Sequence, residues 1–279
     1  RITGLAANRR LPEFRRDRFT STVPTTRAGA AVESGDRQVV LFADTFNNSF
    51  EPENLAAARR VLAAAGYRVT VLVGSDGRPL CCGRTYLGTG MVELARSEAQ
   101  RTLDALLPYV RAGYAVVGLE PSCLLTLRDE FLVLRLGEGA QELAPASLLF
   151  EEFIAREAKA GRFRIDFRPL ARTALLHGHC HQKAFGAMPQ VEAALALVPE
   201  LKVQAVESSC CGMAGSFGYE AAHQEVSLAM AEASLLPAVR EAPADALIVA
   251  DGTSCRHQIN DGAQRQALHV ARVLEMALP

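Results

Sequence analysis

From Gln38 onward the chain alternates short, β-branched apolar runs with longer stretches whose apolar residues recur at helical spacing. Val39-Val40-Leu41-Phe42 is continuously apolar, as a strand buried on both faces must be. Pro52 to Ala65 follows with helical periodicity, a proline at its start and Gly66 just past its end. Arg68 to Val73 predicts a second strand, Met91 to Ala112 a long helix stopped by Gly113, and Tyr114 to Leu119 a third strand running into Pro121-Ser122-Cys123. The order βαβαβ implies a parallel sheet with helices on its faces.

The order then repeats. Thr173 to Leu176 predicts a strand leading into His177-Gly178-His179-Cys180-His181, and Val191 to Leu197 a short helix. Lys202 to Val206 predicts a strand, Ala221 to Val239 a helix, and Ala246 to Ala250 a strand running into Thr253-Ser254-Cys255. A Cys-Cys-Gly triplet stands at 81–83 and again 129 residues later at 210–212, while Cys123 and Cys255 are 132 apart. Equal elements at a nearly constant offset indicate an internal duplication. The expected fold is therefore α/β, two duplicated domains at 36–137 and 169–279, each a parallel sheet flanked by helices. Residues 138–168, amphipathic and read as helical, would connect them, and residues 1–35 read as a basic linker.

Composition narrows the function classes. In 279 residues, 30 Lys and Arg oppose 31 Asp and Glu, a net charge of −1 that argues against a nucleic-acid partner held by bulk electrostatics. Hydrophobic residues are 49% and charged residues 22%, ordinary for a globular protein. No apolar run approaches the roughly 18–20 residues of a membrane helix, and none resembles a signal peptide. A cytoplasmic location is the expectation. Residues 1–28 carry seven Arg against Glu13 and Asp17, and the chain begins with Arg1, so this segment is expected to tether the chain to a preceding domain of a longer protein.

The seven cysteines, at 81, 82, 123, 180, 210, 211 and 255, are odd in number and include two adjacent pairs. That pattern suits metal binding or redox chemistry better than a disulfide framework. In each half the cysteines follow predicted strand ends, the edge at which open parallel sheets bind ligands. Cys123 and Cys255 also sit at predicted helix starts, where free N–H groups favour a thiolate. Cys180, Cys210, Cys211 and Cys255 supply four thiolates, the complement of a [4Fe–4S] cluster and equally of tetrahedral zinc. In the first half Thr45 aligns with Cys180, which leaves Cys81, Cys82 and Cys123 as a second site one sulfur short: a cluster with a non-Cys ligand, or an empty or substrate-facing pocket. His177, His179 and His181 would face away from Cys180 in an extended strand. His181, beyond the strand end, is expected to hydrogen-bond cluster sulfur or relay protons, and His179 and His257 are further candidates beside the cluster. His269 reads as plain surface.

The paired CCG motifs, each with an upstream strand-end motif and a downstream Ser-Cys, resemble the cysteine-rich (CCG) domains found in the B subunit of heterodisulfide reductase. Glycolate oxidase iron–sulfur subunits and the C subunit of anaerobic glycerol-3-phosphate dehydrogenase carry similar domains. Asp44-Thr45-Phe46-Asn47-Asn48 and His177-Gly178-His179-Cys180-His181-Gln182-Lys183-Ala184 further resemble the C-terminal region of FAD-linked oxidases of the D-2-hydroxyglutarate and D-lactate dehydrogenase type. The resemblance covers about residues 36–279. It implies an iron–sulfur module that passes electrons from a flavin domain outside this chain, through a ferredoxin-like domain or subunit, to a quinone or an electron-transfer protein. It also implies a chain that is not catalytically complete alone, peripheral to the inner membrane through its acceptor. The family pattern has another cysteine three residues before the last; here those positions are Glu120 and Gly252, so an ordinary [4Fe–4S] cluster at Cys180, Cys210, Cys211 and Cys255 is what carries over. No GxGxxG fingerprint follows a strand, and FAD is expected only in the preceding domain. The competing expectations are a structural zinc domain, with zinc or an empty site also arising when a cluster oxidises in air, and a thiol–disulfide protein using an adjacent pair such as Cys81 and Cys82.

Overall fold

The computed structural model describes residues 3–33 and 35–279; Arg1, Ile2 and Ser34 lie outside the described residues. The chain divides into two compact units, Phe14–Ile165 and a second formed by Arg1–Glu13 with Asp166–Pro279.

The unit Phe14–Ile165 is built on five parallel strands, β1 (Thr26–Arg27), β2 (Gln38–Phe42), β3 (Arg68–Val73), β4 (Ala115–Gly118) and β5 (Ser147–Leu149), in the order β1-β3-β2-β4-β5. The unbroken apolar run fixes β2 at the centre: Val39, Val40, Leu41 and Phe42 are all buried, with Val39 paired to Val69 on one side and Ala115 on the other. Helices pack on the faces through stripes at helical spacing. The helix Pro52–Ala64 buries Leu55, Ala58, Val61 and Leu62, and the helix Val92–Arg111 buries Ala95, Ala99, Leu103 and Leu106.

The second unit holds β6 (Thr173–Leu176), β7 (Lys202–Ala205), β8 (Leu247–Val249) and β9 (Ala267–Leu268), all parallel in the order β7-β6-β8-β9. That is the order β3-β2-β4-β5 again. The α/β class and the duplicated parallel sheets are thus both present, with β1 as an extra edge strand in the first unit.

Three stretches differ from their sequence pattern. The segment 138–163 is interrupted: the helix Glu138–Ala146 carries Pro145 in its last turn, and Ser147–Leu149 then pairs with β4 before the helix Phe150–Lys159 begins. The stretch 221–239 contains two helices, Gln224–Glu232 and Leu235–Glu241; Pro237 is tolerated only because it falls in the first turn of the second. Finally, the basic stretch at the beginning departs from a solvated linker. In the second unit the Ala6 N–H donates to the Tyr219 carbonyl at 2.8 Å, and the buried Arg9 side chain reaches Asp261 and Ser227, both at 3.2 Å. In the first unit Thr26 and Arg27 extend the sheet. No helix of the described residues is long and apolar enough to cross a membrane.

A buried polar knot secures the helix Phe150–Lys159 in the first unit. Glu157 accepts from the Tyr67 hydroxyl at 2.8 Å and from Arg162 and Arg156 at 2.7 and 3.0 Å, and the Arg162 guanidinium is the main reason its carboxyl falls to about 2. A depressed carboxylate stabilises the fold above its unfolded value, about 4.3, and loses that contribution as the pH falls through its folded value. Glu157→Gln is expected to cost about 1–2 kcal/mol at neutral pH, discounted because both arginines are half-exposed. The difference from the parent should shrink between about pH 5 and pH 2 in melting experiments; a deficit independent of pH would contradict the ion-pair assignment.

Candidate metal centre

In each sheet the central strand is followed by neighbours on opposite sides, so the loops after β2 and β4, and after β6 and β8, diverge at a topological switch point. Ligand crevices in open parallel sheets form there, at the carboxyl ends of the strands. In the second unit all four cysteines emerge at that edge. Cys180 opens the helix Cys180–Ala184 after β6, Cys210 and Cys211 lie in the loop after β7, and Cys255 occupies the first turn of the helix Thr253–Ala263 after β8. Cys211 and Cys255 are buried against Met213, Tyr219, Ile248 and Ile259, Cys210 is half-buried, and Cys180 is exposed. The site is closed on its apolar side and open at one sulfur.

The sulfurs interact in a row, Cys180–Cys210–Cys211–Cys255, and the row alternates in charge. Cys210 is held down to about 2 because the Cys180 and Cys211 thiols both donate to it, helped by the Gly212 N–H at 3.3 Å. Cys255 is held well below the ordinary thiol range by the Cys211 thiol, with the His177 and His179 rings adding to the effect. The donors Cys180 and Cys211 are pushed up correspondingly, first by Cys210 and then by burial. Four sulfur donors that already share protons in this way fit a soft metal ion or an iron–sulfur cluster, either of which would replace those protons.

The loop carrying the pair needs glycine. Gly212 has φ +83°, and a Cβ there would collide with the Ser227 carbonyl oxygen; Gly83, in the same place in the first unit, has φ +79° and would bring its Cβ to 2.7 Å from the Ala95 carbonyl oxygen. Gly252 answers a different question. A side chain there would run into the His179 ring, so a cysteine at this position, where the resemblance has one more, would require that ring to move.

The structure distributes the histidines differently from an extended strand. β6 ends at Leu176, Gly178 breaks the alternation, and His179 becomes the N-cap of the helix Cys180–Ala184, its Nδ1 accepting from the His181 N–H at 3.2 Å. That same nitrogen lies 3.9 Å from the Cys180 sulfur, and the His181 ring stands edge-on to His179 at 5.1 Å. His257 is engaged by the Tyr219 hydroxyl at 2.7 Å. His269, expected at the surface, is fully buried: it caps the helix Val270–Met276 and lies 3.4 Å from the buried Asp251.

Two residues beyond the expected ligands and their histidine neighbours belong to the site. A ring nitrogen of His177 and the sulfurs of Cys211 and Cys255 all lie within 4.8 Å of one another. The Lys183 ammonium faces all four cysteines while donating to the Ser208 and Ser209 carbonyls, the latter at 3.0 Å, so it supplies positive charge and ties the helix to the CCG loop. Its signal in the sequence was its place three residues after Cys180, one helical turn on.

The first unit brings Cys81, Cys82 and Cys123 together but supplies no fourth sulfur there. Thr45 takes the position of Cys180 and donates to Cys81 at 3.7 Å. Asp44 is the N-cap where the second unit has His179, and Glu120 the N-cap where it has Gly252. Both carboxylates are buried. Burial, then Glu120, pushes Asp44 up to about 7; the Cys82 thiol lowers Cys123, but burial and these two carboxylates outweigh it and raise Cys123 to about 11. Added negative charge opposes thiolate formation, so this donor set does not fit a four-thiolate cluster.

These features match a known family. Residues 174–260 fit the family model of the cysteine-rich (CCG) domain. The chain is similar to the C subunit of anaerobic glycerol-3-phosphate dehydrogenase from Escherichia coli K12, 27% identical over 242 residues, covering 86% of this chain and 59% of that protein. It is also similar to D-2-hydroxyglutarate dehydrogenases of Escherichia coli K12 (28% over 232 residues, 81% of this chain and 21% of the relative) and Pseudomonas putida (28% over 259 residues, 91% and 24%). The chain therefore spans little more than half of the first relative and about a quarter or less of the others. A crystal structure of a hypothetical protein from Helicobacter pylori shares the fold, with a TM-score of 0.54 at 11% identity over 91% of this chain and 50% of that one.

Two outcomes are expected of the metal-free protein. With limiting iodoacetamide, Cys210 should be alkylated ahead of the other cysteines, at a rate nearly flat from about pH 5 to 8, whereas an ordinary thiol reacts about tenfold faster per pH unit over that range. Peptide mapping by mass spectrometry reads the order and the slope. Gly212→Ala should lower the melting temperature more than Gly215→Ala, because both incur left-handed strain of about 1–2 kcal/mol but only Gly212 faces a carbonyl. Equal losses would mean that the CCG turn tolerates a side chain.

Proposed function

We propose that this chain is an iron–sulfur electron-transfer module of a flavin-linked dehydrogenase acting on a 2-hydroxy acid, with one cluster at Cys180, Cys210, Cys211 and Cys255. The observation that carries this reading is the convergence of four sulfurs from three loops at the carboxyl edge of β6, β7 and β8. The relatives support it, because a subunit of anaerobic glycerol-3-phosphate dehydrogenase and D-2-hydroxyglutarate dehydrogenases share this region. When bound, a [4Fe–4S] cluster supplies one-electron storage at this edge. The chain's own residues do the rest. Gly212 and the helix beginning at Thr253 hold Cys211 and Cys255 in an apolar wall, Lys183 offsets the anionic sulfurs, and the exposed Cys180 leaves one side of the site accessible to an electron partner.

Flavin and ferredoxin-like domains or subunits would be the donors and a quinone or electron-transfer protein the acceptor, in the cytoplasm or at the inner-membrane surface. The first unit, one sulfur short, is assigned no four-sulfur cluster in this reading. A zinc centre is the second reading, and a specific observation favours it: His177, Cys211 and Cys255 are as compact as a mononuclear site requires.

Protein purified without oxygen should be brown, with broad visible absorbance, about four iron atoms per chain and a paramagnetic signal on reduction. Cys211→Ser should remove most of the iron and the signal. A colourless protein with one zinc per chain would replace the first reading by the second. Unchanged iron in Cys211→Ser would overturn the ligand set.

A further inference from the structure

We propose that His177 donates a hydrogen bond from Nε2 to the sulfur of Cys255 in the cluster-bound protein, with Ser208 holding the ring, and that this bond raises the cluster's reduction potential. The inference rests on the iron–sulfur reading above and adds to it a residue that sets the potential of the site.

His177 directly follows β6, and its backbone N–H donates to the Val249 carbonyl at 2.8 Å, continuing the strand ladder towards β8 and the Cys255 loop. Its side chain is 1% exposed. The Nδ1 atom lies 2.8 Å from the Ser208 hydroxyl, and Ser208 is itself held in the CCG loop by its N–H to the Val206 carbonyl at 2.9 Å and by Lys183 on its own carbonyl. The Nε2 atom is buried with no hydrogen-bond partner among the described residues. A neutral imidazole has one N–H and one lone pair. If Nδ1 accepts from the Ser208 hydroxyl, the proton resides on Nε2, on the nitrogen that Ser208 leaves free. Burying that N–H with nothing to receive it would cost about 1–3 kcal/mol, and the sulfurs of Cys211 and Cys255 lie within 4.8 Å of a ring nitrogen of His177.

Of the two, Cys255 follows β8, the strand to which the His177 backbone is tied through the Val249 carbonyl, and the bond is therefore assigned to its sulfur. A donor placed on a ligating thiolate withdraws electron density and stabilises the reduced, more negative cluster, so the potential rises. The Nδ1 contact to Ser208 plays the part that a second hydrogen bond plays for histidines at metal sites: it fixes both the tautomer and the ring plane.

The test is a redox titration of the anaerobically prepared chain, followed optically and by electron paramagnetic resonance, with iron measured on each sample. His177→Leu should keep its iron and shift the midpoint potential downwards. His177→Gln, which can place an amide N–H near the same point, should recover part of the shift, and Ser208→Ala should move the potential in the same direction by less. An unchanged midpoint in His177→Leu at full iron content overturns the inference and leaves the cluster assignment standing. If His177→Leu fails to fold or to hold iron, the decision passes to Ser208→Ala, whose unchanged potential would likewise overturn it. Nitrogen hyperfine coupling of the strength of a directly bound imidazole would make His177 a ligand and overturn the hydrogen-bond role. A wild-type chain that holds no iron under any anaerobic preparation brings down this inference and the iron–sulfur reading together.

Discussion

Four sulfur atoms crowded at one sheet edge cannot all carry charge in an apolar wall, and that restriction organises the second unit. The protein meets it by alternating along the row Cys180–Cys210–Cys211–Cys255: Cys210 and Cys255 are shifted towards the thiolate, Cys180 and Cys211 towards the thiol. The neighbouring groups follow the same logic. Lys183 faces the row with positive charge, Gly212 turns the chain where no Cβ fits, and His177 and His179 bring ring nitrogens instead of carboxylates. A metal centre that displaced the shared protons would find its donors already gathered.

The first unit shows what happens when the same framework loses that logic. Its strand order is the same and its Cys-Cys-Gly turn has the same left-handed glycine, yet the capping histidine and the glycine opposite it are replaced by Asp44 and Glu120. Burial and the neighbouring Glu120 raise the Asp44 carboxyl to about 7, and burial with both carboxylates raises the Cys123 thiol against the lowering effect of Cys82. With Thr45 in place of the fourth cysteine, the pocket is acidic and hydroxylic where its counterpart is basic and thiolate-rich. Duplication preserved the backbone, and the two sites diverged through three or four side chains at strand ends.

Much of the fold was legible because its signals are local. The apolar runs at 39–42 and 174–176 read as buried strands of a parallel sheet, and the repeated order with two CCG triplets disclosed the duplication. Where the pattern misled, a competing local term decided. Pro145 and Pro237 interrupt helices whose amphipathic spacing continues past them, and Ser147–Leu149, too short to stand out, finds a place on β4. Arg9 reads as solvated because charge is a surface signal, but a partner 252 residues away in Asp261 offsets the cost of its burial.

By itself the sequence determined the candidate ligand atoms: four cysteines in the second half, three in the first, and the strand ends that bear them. It could do so because residue type and strand periodicity are carried by neighbours along the chain. Only the tertiary structure decided which groups surround those sulfurs. A ring nitrogen of His177 stands beside Cys255, the His179 ring packs against Gly252, and His269 lies buried on Asp251. These outcomes turn on where β6 stops and on which loops meet after β7 and β8. Such meetings are set by packing between residues far apart along the chain, as in the pairs His177–Ser208 and His177–Cys255.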